Sequence, residues 1–214
     1  MKNYKTIIAA VAAGLACTAA TSQATLTPVV GVEVAPTTYA PASIVGFLNT
    51  PYVSGVNPAY FGTFISWVIA PNADALASAN GYHGLTFVFQ ANPTTGQRIE
   101  SISVNGFIGD YGYNYLHVAG STSDPSSVDQ NPEGVVKANW PTPLGYQGPG
   151  DYIYLYSNAK LFGSVYDSVQ DGSSATPLGL GPVVPEPSTV VAGALMLLPF
   201  GIGAIRSLRK DRTA

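Results

Sequence analysis

Hydrophobic and polar positions alternate most clearly at residues 84–90, where Leu85, Phe87 and Phe89 fall on one side of an extended chain and Thr86, Val88 and Gln90 on the other. The segment Asn92-Pro93-Thr94-Thr95-Gly96 follows, rich in turn formers, and reads as a hairpin loop into a second strand at 98–108, with Ile102, Val104 and Ile108 on a shared face. Strands are also predicted at 29–34, 44–48, 60–69, 113–118, 134–140, 152–156 and 161–169. The one helical candidate is 72–80, with Asn72 as its cap and Ala73, Leu76 and Ala77 turned inward; an irregular loop fits the same residues. Residues 121–133 and 141–150, rich in Ser, Asp, Pro and Gly, read as surface loops. Short strands separated by turn signals, with 23 Gly and 17 Pro spread along the chain, predict an all-β fold, a single β-sandwich-like domain.

The two ends break this pattern. Met1-Lys2-Asn3-Tyr4-Lys5 is a basic opening, residues 6–20 are apolar, and Ser22-Gln23-Ala24 has small residues where a signal peptidase needs them. A signal peptide over 1–24, cut between Ala24 and Thr25, is expected. The single cysteine, Cys17, lies inside it, so the mature body has no thiol to pair. A lipidated Cys17 would want a large aliphatic residue where Gly14 stands.

At the other end, residues 187–205 carry no charge; as a helix these 19 residues would reach roughly 28 Å, close to a bilayer core of about 30 Å. Pro199 and three glycines, Gly193, Gly201 and Gly203, loosen the run, which membrane helices tolerate. Arg206, Arg209, Lys210 and Arg212 follow at once, a basic cluster that stays on the cytoplasmic side and leaves the body outside.

The order Val184-Pro185-Glu186-Pro187-Ser188-Thr189, a short membrane segment and a terminal basic cluster resembles the PEP-CTERM sorting signal of bacterial envelope proteins. The resemblance implies recognition of Val184, Pro185, Glu186 and Pro187 by an exosortase, a membrane-embedded cysteine protease or transpeptidase, in bacteria that make exopolysaccharide. Two prolines also hold an extended, non-helical stretch that a protease groove can take. The expected organisation is a signal peptide (1–24), an ectodomain (25–175), a linker (176–184) and a sorting tail (185–214) whose span covers 188–205 and whose basic end covers 206–214. Residues 84–90, 99–107 and 124–129, with Ala175 leading to the tail, are similar to ectodomains that often precede such signals; no catalytic role comes with that likeness.

Charge narrows the function further. Between Thr25 and Val184 only Arg98, Lys137 and Lys160 are basic, against ten acidic residues, so the body repels phosphate backbones and nucleic acid is excluded as a partner. The body has no Gly-x-Ser-x-Gly, His-Glu-x-x-His or cysteine nucleophile; His83 and His117 stand in unrelated contexts, and nothing in the spacing makes Glu100 and Glu133 a glycosidase pair. No catalytic residues and no cofactor are assigned.

Two further patterns are candidate binding features. Tyr111, Tyr113 and Tyr115, and Tyr152, Tyr154 and Tyr156, recur at period two, so each set lines one side of a strand. Such rows can stack sugar rings, or they can be cross-strand pairs that stabilise the sheet and pack on one another. Asp124, Asp129, Asn131 and Glu133 cluster in one stretch and could supply oxygen ligands to calcium, although the spacing is not that of an EF-hand and a plain solvated acidic loop is the better account of them. The expected protein is exported and non-enzymatic: carried through the inner membrane, held in transit by its tail, processed by an exosortase and delivered to the envelope or matrix beside exopolysaccharide. The alternatives are a carbohydrate-binding module that uses the tyrosine faces, or a simple single-span anchored ectodomain.

Overall fold

The alternating segments become strands, and every pairing between named strands is antiparallel. The computed structural model describes residues 24–55, 60–94, 98–109, 111–121, 123–141 and 149–183; the residues before Ala24, where a signal segment is expected, and those from Val184 on lie outside the described residues. In chain order the elements are β1 (Ala24–Thr25), β2 (Ile44–Val53), β3 (Phe61–Ile69), α1 (Ala75–Ala79), β4 (Thr86–Pro93), β5 (Ser101–Val104) and β6 (Gly112–Leu116). They continue with β7 (Ser127–Gln130), β8 (Val136–Asn139), β9 (Tyr152–Tyr156), β10 (Phe162–Tyr166), β11 (Ser168–Gln170), β12 (Ser174–Ala175) and β13 (Leu178–Pro182). One sheet has the order β2-β3-β4-β9-β6, a second the order β1-β7-β8-β5-β11-β12, and β10 pairs β13 in a separate ribbon.

The period-two pattern decides what faces what. Phe64, Phe87, Phe89, Ile153 and Leu155 from the five-stranded sheet share one core with Ile102, Val104, Val128, Val136, Ala138 and Val169 from the six-stranded sheet. Phe107, on the connection from β5 to β6, sets its ring edge-on to Phe87 at 5.3 Å and to Tyr111 at 5.0 Å, the geometry that the aromatic quadrupole favours. The ribbon closes the core where the second sheet stops: Phe162 comes so close to Gly46 that a side chain there would collide with it and crowd Leu180, and Leu180 N–H donates to Ser66 Oγ at 3.1 Å.

The outer face of the five-stranded sheet is also covered over much of its area. Trp67, Ile69, Val88, Tyr154 and Tyr156 form a second cluster with Ala77 of α1, and Val29, Tyr39, Leu76 and Tyr82 pack against it. Residues 86–91 of β4 are consequently buried on both faces. Toward β2 the cover ends, and Val45, Phe47, Val53 and Phe61 stand exposed; Pro51, with no N–H to offer, lies on this edge strand, where it blunts further pairing.

Several expectations are corrected. The hairpin from 84–90 into 98–108 does not form: β4 pairs β3 and β9, whereas β5 belongs to the other sheet and pairs β8 and β11. The loop at 121–133 contains β7, which pairs β8 in register with Asp129 opposite Lys137. The linker at 176–184 contains β13, so the folded body runs to Pro182, which ends the first of two compact units. Residues 29–34 form no strand and bend at Val30 and Gly31; Val29 N–H donates to the Tyr113 carbonyl beside a single parallel bridge at Pro28. The helix is shorter than expected and is capped by Asp74, whose Oδ1 accepts from the N–H groups of Leu76 and Ala77 at 3.0 Å, while Asn72 takes a left-handed φ of 60°. Among the described residues no helix is long and apolar enough to cross a membrane; the expected span at 188–205 lies outside them.

Asp167 sits at the corner between β10 and β11, almost wholly buried. Its Oδ1 accepts from Asn105 N–H at 3.0 Å, and its Oδ2, pressed against Gly179, has no hydrogen-bond partner among the described residues. Burial pushes its carboxyl up to about 8, with the Asn105 N–H opposing. Folding therefore takes up a proton between the unfolded value of about 3.9 and about 8: the contribution is fully present below the first and is lost as pH rises through the second. Asp167→Asn is expected to flatten the fall of urea-unfolding free energy across that window, by up to about 1.4 kcal/mol per pH unit. Equal slopes in the two proteins would show that the carboxyl is ionised in the fold.

Candidate functional site

The two tyrosine rows lie on opposite faces of the same sheet. Tyr113 pairs across from Leu155 and Tyr115 from Ile153, so both turn toward the core between the sheets, with Tyr111 beside them. Tyr152, Tyr154 and Tyr156 alternate with those inward residues and point outward, beneath residues 29–43 and α1. The rows cannot pack on one another, and neither is a platform for sugar rings. Tyr154 and Tyr156 are fully buried, Tyr111 and Tyr113 nearly so, and Tyr152 has Trp67 set edge-on to it at 5.6 Å. The physical reason is that a sheet covered on both faces buries both sets of alternating positions.

The hydroxyls of the outward row are spent on the cover. Tyr154 Oη donates to the Val34 carbonyl at 2.5 Å, and Tyr156 Oη donates to Glu33 Oε1. Glu33 is nearly buried, and burial pushes its carboxyl up; the charge of Asp74 adds to this, while the Tyr156 hydroxyl and the Val34 N–H oppose it. A cleft of about 410 Å³ opens beside this pair between residues 28–33 and 114–116. Its polar side chains are already engaged: Asn114 Nδ2 donates to the Gly31 carbonyl at 3.2 Å and Asn114 Oδ1 accepts from Tyr115 N–H at 2.9 Å.

The four acidic-loop residues do not converge. Asp129, on β7, accepts from Thr25 Oγ1, Ser127 Oγ and Asn139 Nδ2 at 2.9–3.1 Å. Asn131 Oδ1 accepts from Val135 N–H at 2.8 Å and closes the turn into β8, and Glu133 is exposed. The calcium cage expected of Asp124, Asp129, Asn131 and Glu133 is thereby corrected, because β7 makes residues 127–130 a strand instead of a loop that can wrap an ion.

Asp124 instead meets two residues from elsewhere in the chain. His117 Nδ1 lies 2.8 Å from Asp124 Oδ1 and 3.4 Å from Asp151 Oδ1. His117 follows β6 and Asp151 precedes β9; since Leu116 pairs with Tyr152, residues 117 and 151 fall opposite each other at the end of the ladder. The other histidine, His83, is exposed near Asn158, whose Oδ1 accepts from the His83 N–H at 3.0 Å. Asp151 is fully buried: Oδ1 accepts from Val118 N–H at 3.0 Å, and Oδ2 has no hydrogen-bond partner among the described residues. Burial pushes its carboxyl up, and the Val118 N–H and His117 pull the other way. The sequence signal that could have assembled this group was the pairing of the two tyrosine strands, whose ends carry His117 and Asp151.

Of the other expected positions, Ala24 and Thr25 form β1 opposite Gln130 and Asp129, whereas Val184, Pro185, Glu186, Pro187, Arg206, Arg209, Lys210 and Arg212 lie outside the described residues. Compared with protein-family models, curated proteins and solved structures, the chain matches none.

Tyr156→Phe deletes the donor to a buried carboxylate and is expected to cost about 1–3 kcal/mol in urea unfolding. The cost should shrink in a Glu33→Gln background if the two side chains act as a pair. An unchanged cost in that background would assign the loss to the tyrosine alone.

Proposed function

We propose that this is a non-enzymatic exported protein of the bacterial envelope or extracellular matrix, sorted by an exosortase at Val184-Pro185-Glu186-Pro187. The observation that carries this reading is the order of three features at one end of the chain: the Pro-Glu-Pro box, an uncharged run of 19 residues from 187 to 205, and the cluster Arg206, Arg209, Lys210 and Arg212. In transit the run anchors the protein in the inner membrane, and the basic end keeps the tail cytoplasmic with the body on the periplasmic side. The body is then a single sandwich-like ectodomain, and the envelope or matrix it enters is one that contains exopolysaccharide.

The end of the fold suits such processing. The last strand closes at Pro182, Val183 is exposed, and the box begins two residues later in the sequence. A protease that takes an extended substrate would therefore need no strand of the body to open. The body's tyrosines serve packing and hydrogen bonding, in keeping with a cargo that is exported intact.

Mass spectrometry of both chain termini, in membrane and secreted fractions of the native host, tests the proposal. A secreted form that starts near Thr25 and stops near Pro187 is expected. A membrane-bound chain that keeps Arg206 to Ala214 in every fraction would reduce the protein to a single-span anchored ectodomain and overturn the sorting.

A further inference from the structure

Three groups meet where β6 ends and β9 begins: a half-exposed imidazole, a half-exposed carboxylate and a fully buried carboxylate. One donor atom from each of His117, Asp124 and Asp151 lies within 4.8 Å of the others. Among the described residues no Lys or Arg pairs with either carboxylate, and the only cationic partner on offer is His117 itself. Two carboxylates against one imidazole leave the group negative even when the ring is protonated. Asp151 makes this costly, because it is fully buried and, among the described residues, its Oδ2 has no hydrogen-bond partner within bonding geometry, with only the Val118 N–H, His117 and the Ser121 side chain opposing the burial of its charge.

We propose that His117, Asp124 and Asp151 form a binding site for a divalent transition-metal ion of the zinc class. An ion held by nitrogen and oxygen at about 2.0–2.1 Å in tetrahedral geometry sets its ligand atoms about 3.3–3.4 Å apart. The imidazole nitrogen already stands 3.4 Å from Asp151 Oδ1, and the 2.8 Å separation from Asp124 Oδ1 opens by rotation of two half-exposed side chains. The mixed donor set selects the ion: imidazole suits zinc and its neighbours, whereas calcium and magnesium take oxygen shells. Val118 N–H, bonded to Asp151 Oδ1 at 3.0 Å, orients that carboxylate as an outer-shell partner would. The fourth position faces the exposed side of the group, where water completes the shell. Placed where two strands end, the ion ties the 119–126 connection to the sheet.

The test uses the purified full chain carrying Cys17→Ser, so that no thiol competes, titrated with zinc chloride and then dialysed for metal counting. Retention of about one zinc per chain is expected. The chain has only two histidines, so long-range nitrogen–proton spectra should show the His117 imidazole signals moving while those of His83 stay. Asp151→Asn removes a buried group and can unfold the protein, so the decisive variants are His117→Gln and Asp124→Asn, each with its side chain about half exposed. Each should weaken binding at least about tenfold, as loss of a ligand does. Absence of retained zinc in the parent, or binding equally tight in both variants, overturns the site. Displacement of the zinc by calcium at comparable concentration overturns its assignment to the zinc class.

Discussion

The constraint on which this fold depends is that its five-stranded sheet has apolar side chains to hide on both faces. β4 is the extreme case, with Phe87 and Phe89 facing one core and Val88 facing the other. One layer, the second sheet with the β10–β13 ribbon, covers the inner face; the outer face falls to residues 29–43 and α1, which between them form two 3-10 turns (Pro36–Thr38 and Pro41–Ser43), one short α-helix and irregular chain. Such a cover lacks a ladder of its own to hold it, so side chains must do so. Tyr154 and Tyr156 reach through it to Val34 and Glu33, and Asp74 fixes α1 by accepting two backbone donors. Polar atoms so placed are held in low dielectric, where a partner matters more than at the surface.

That constraint also explains what was legible in the sequence. Most strands were, because Leu85, Phe87 and Phe89, or Ile153 and Leu155, repeat at period two whichever face they serve. Period two does not say which face is wet, however. The outward tyrosines therefore look the same in sequence as residues that line an open surface. The turn residues after β4 suggested a hairpin, but turn chemistry carries no information about which sheet receives the next strand. β7 hid because a single Val128 stands between Ser127 and Asp129, and β13 because Gly179, Gly181 and Pro182 lower its strand propensity. Gly179 is nonetheless required: Asp167 occupies the space a side chain would fill.

Of the three residues proposed to hold a cation, only Asp124 belonged to the loop in which the sequence pattern placed one. His117 and Asp151 are 34 positions apart and meet only through the register of β6 on β9, in which Leu116 faces Tyr152. Asp124 joins them from a connection with no periodic pattern. Loop-local clustering finds ions wrapped by one contiguous turn, whereas strand ends bring together donors that sequence proximity cannot.

If the leader is cut between Ala24 and Thr25 as proposed, the short strand β1 bears on the order of events. Ala24 and Thr25 pair with Gln130 and Asp129, and the Leu26 N–H donates to the Val128 carbonyl. A peptidase that cuts between Ala24 and Thr25 binds its substrate as a free extended strand, so a bond already laddered to β7 is closed to it. Under that proposal, cleavage has to come before residues 127–130 are in place, and those follow more than a hundred positions later in the chain. Removal of the proposed leader and completion of the six-stranded sheet would then be a sequence in time, in which the first step is possible only while the second is unfinished.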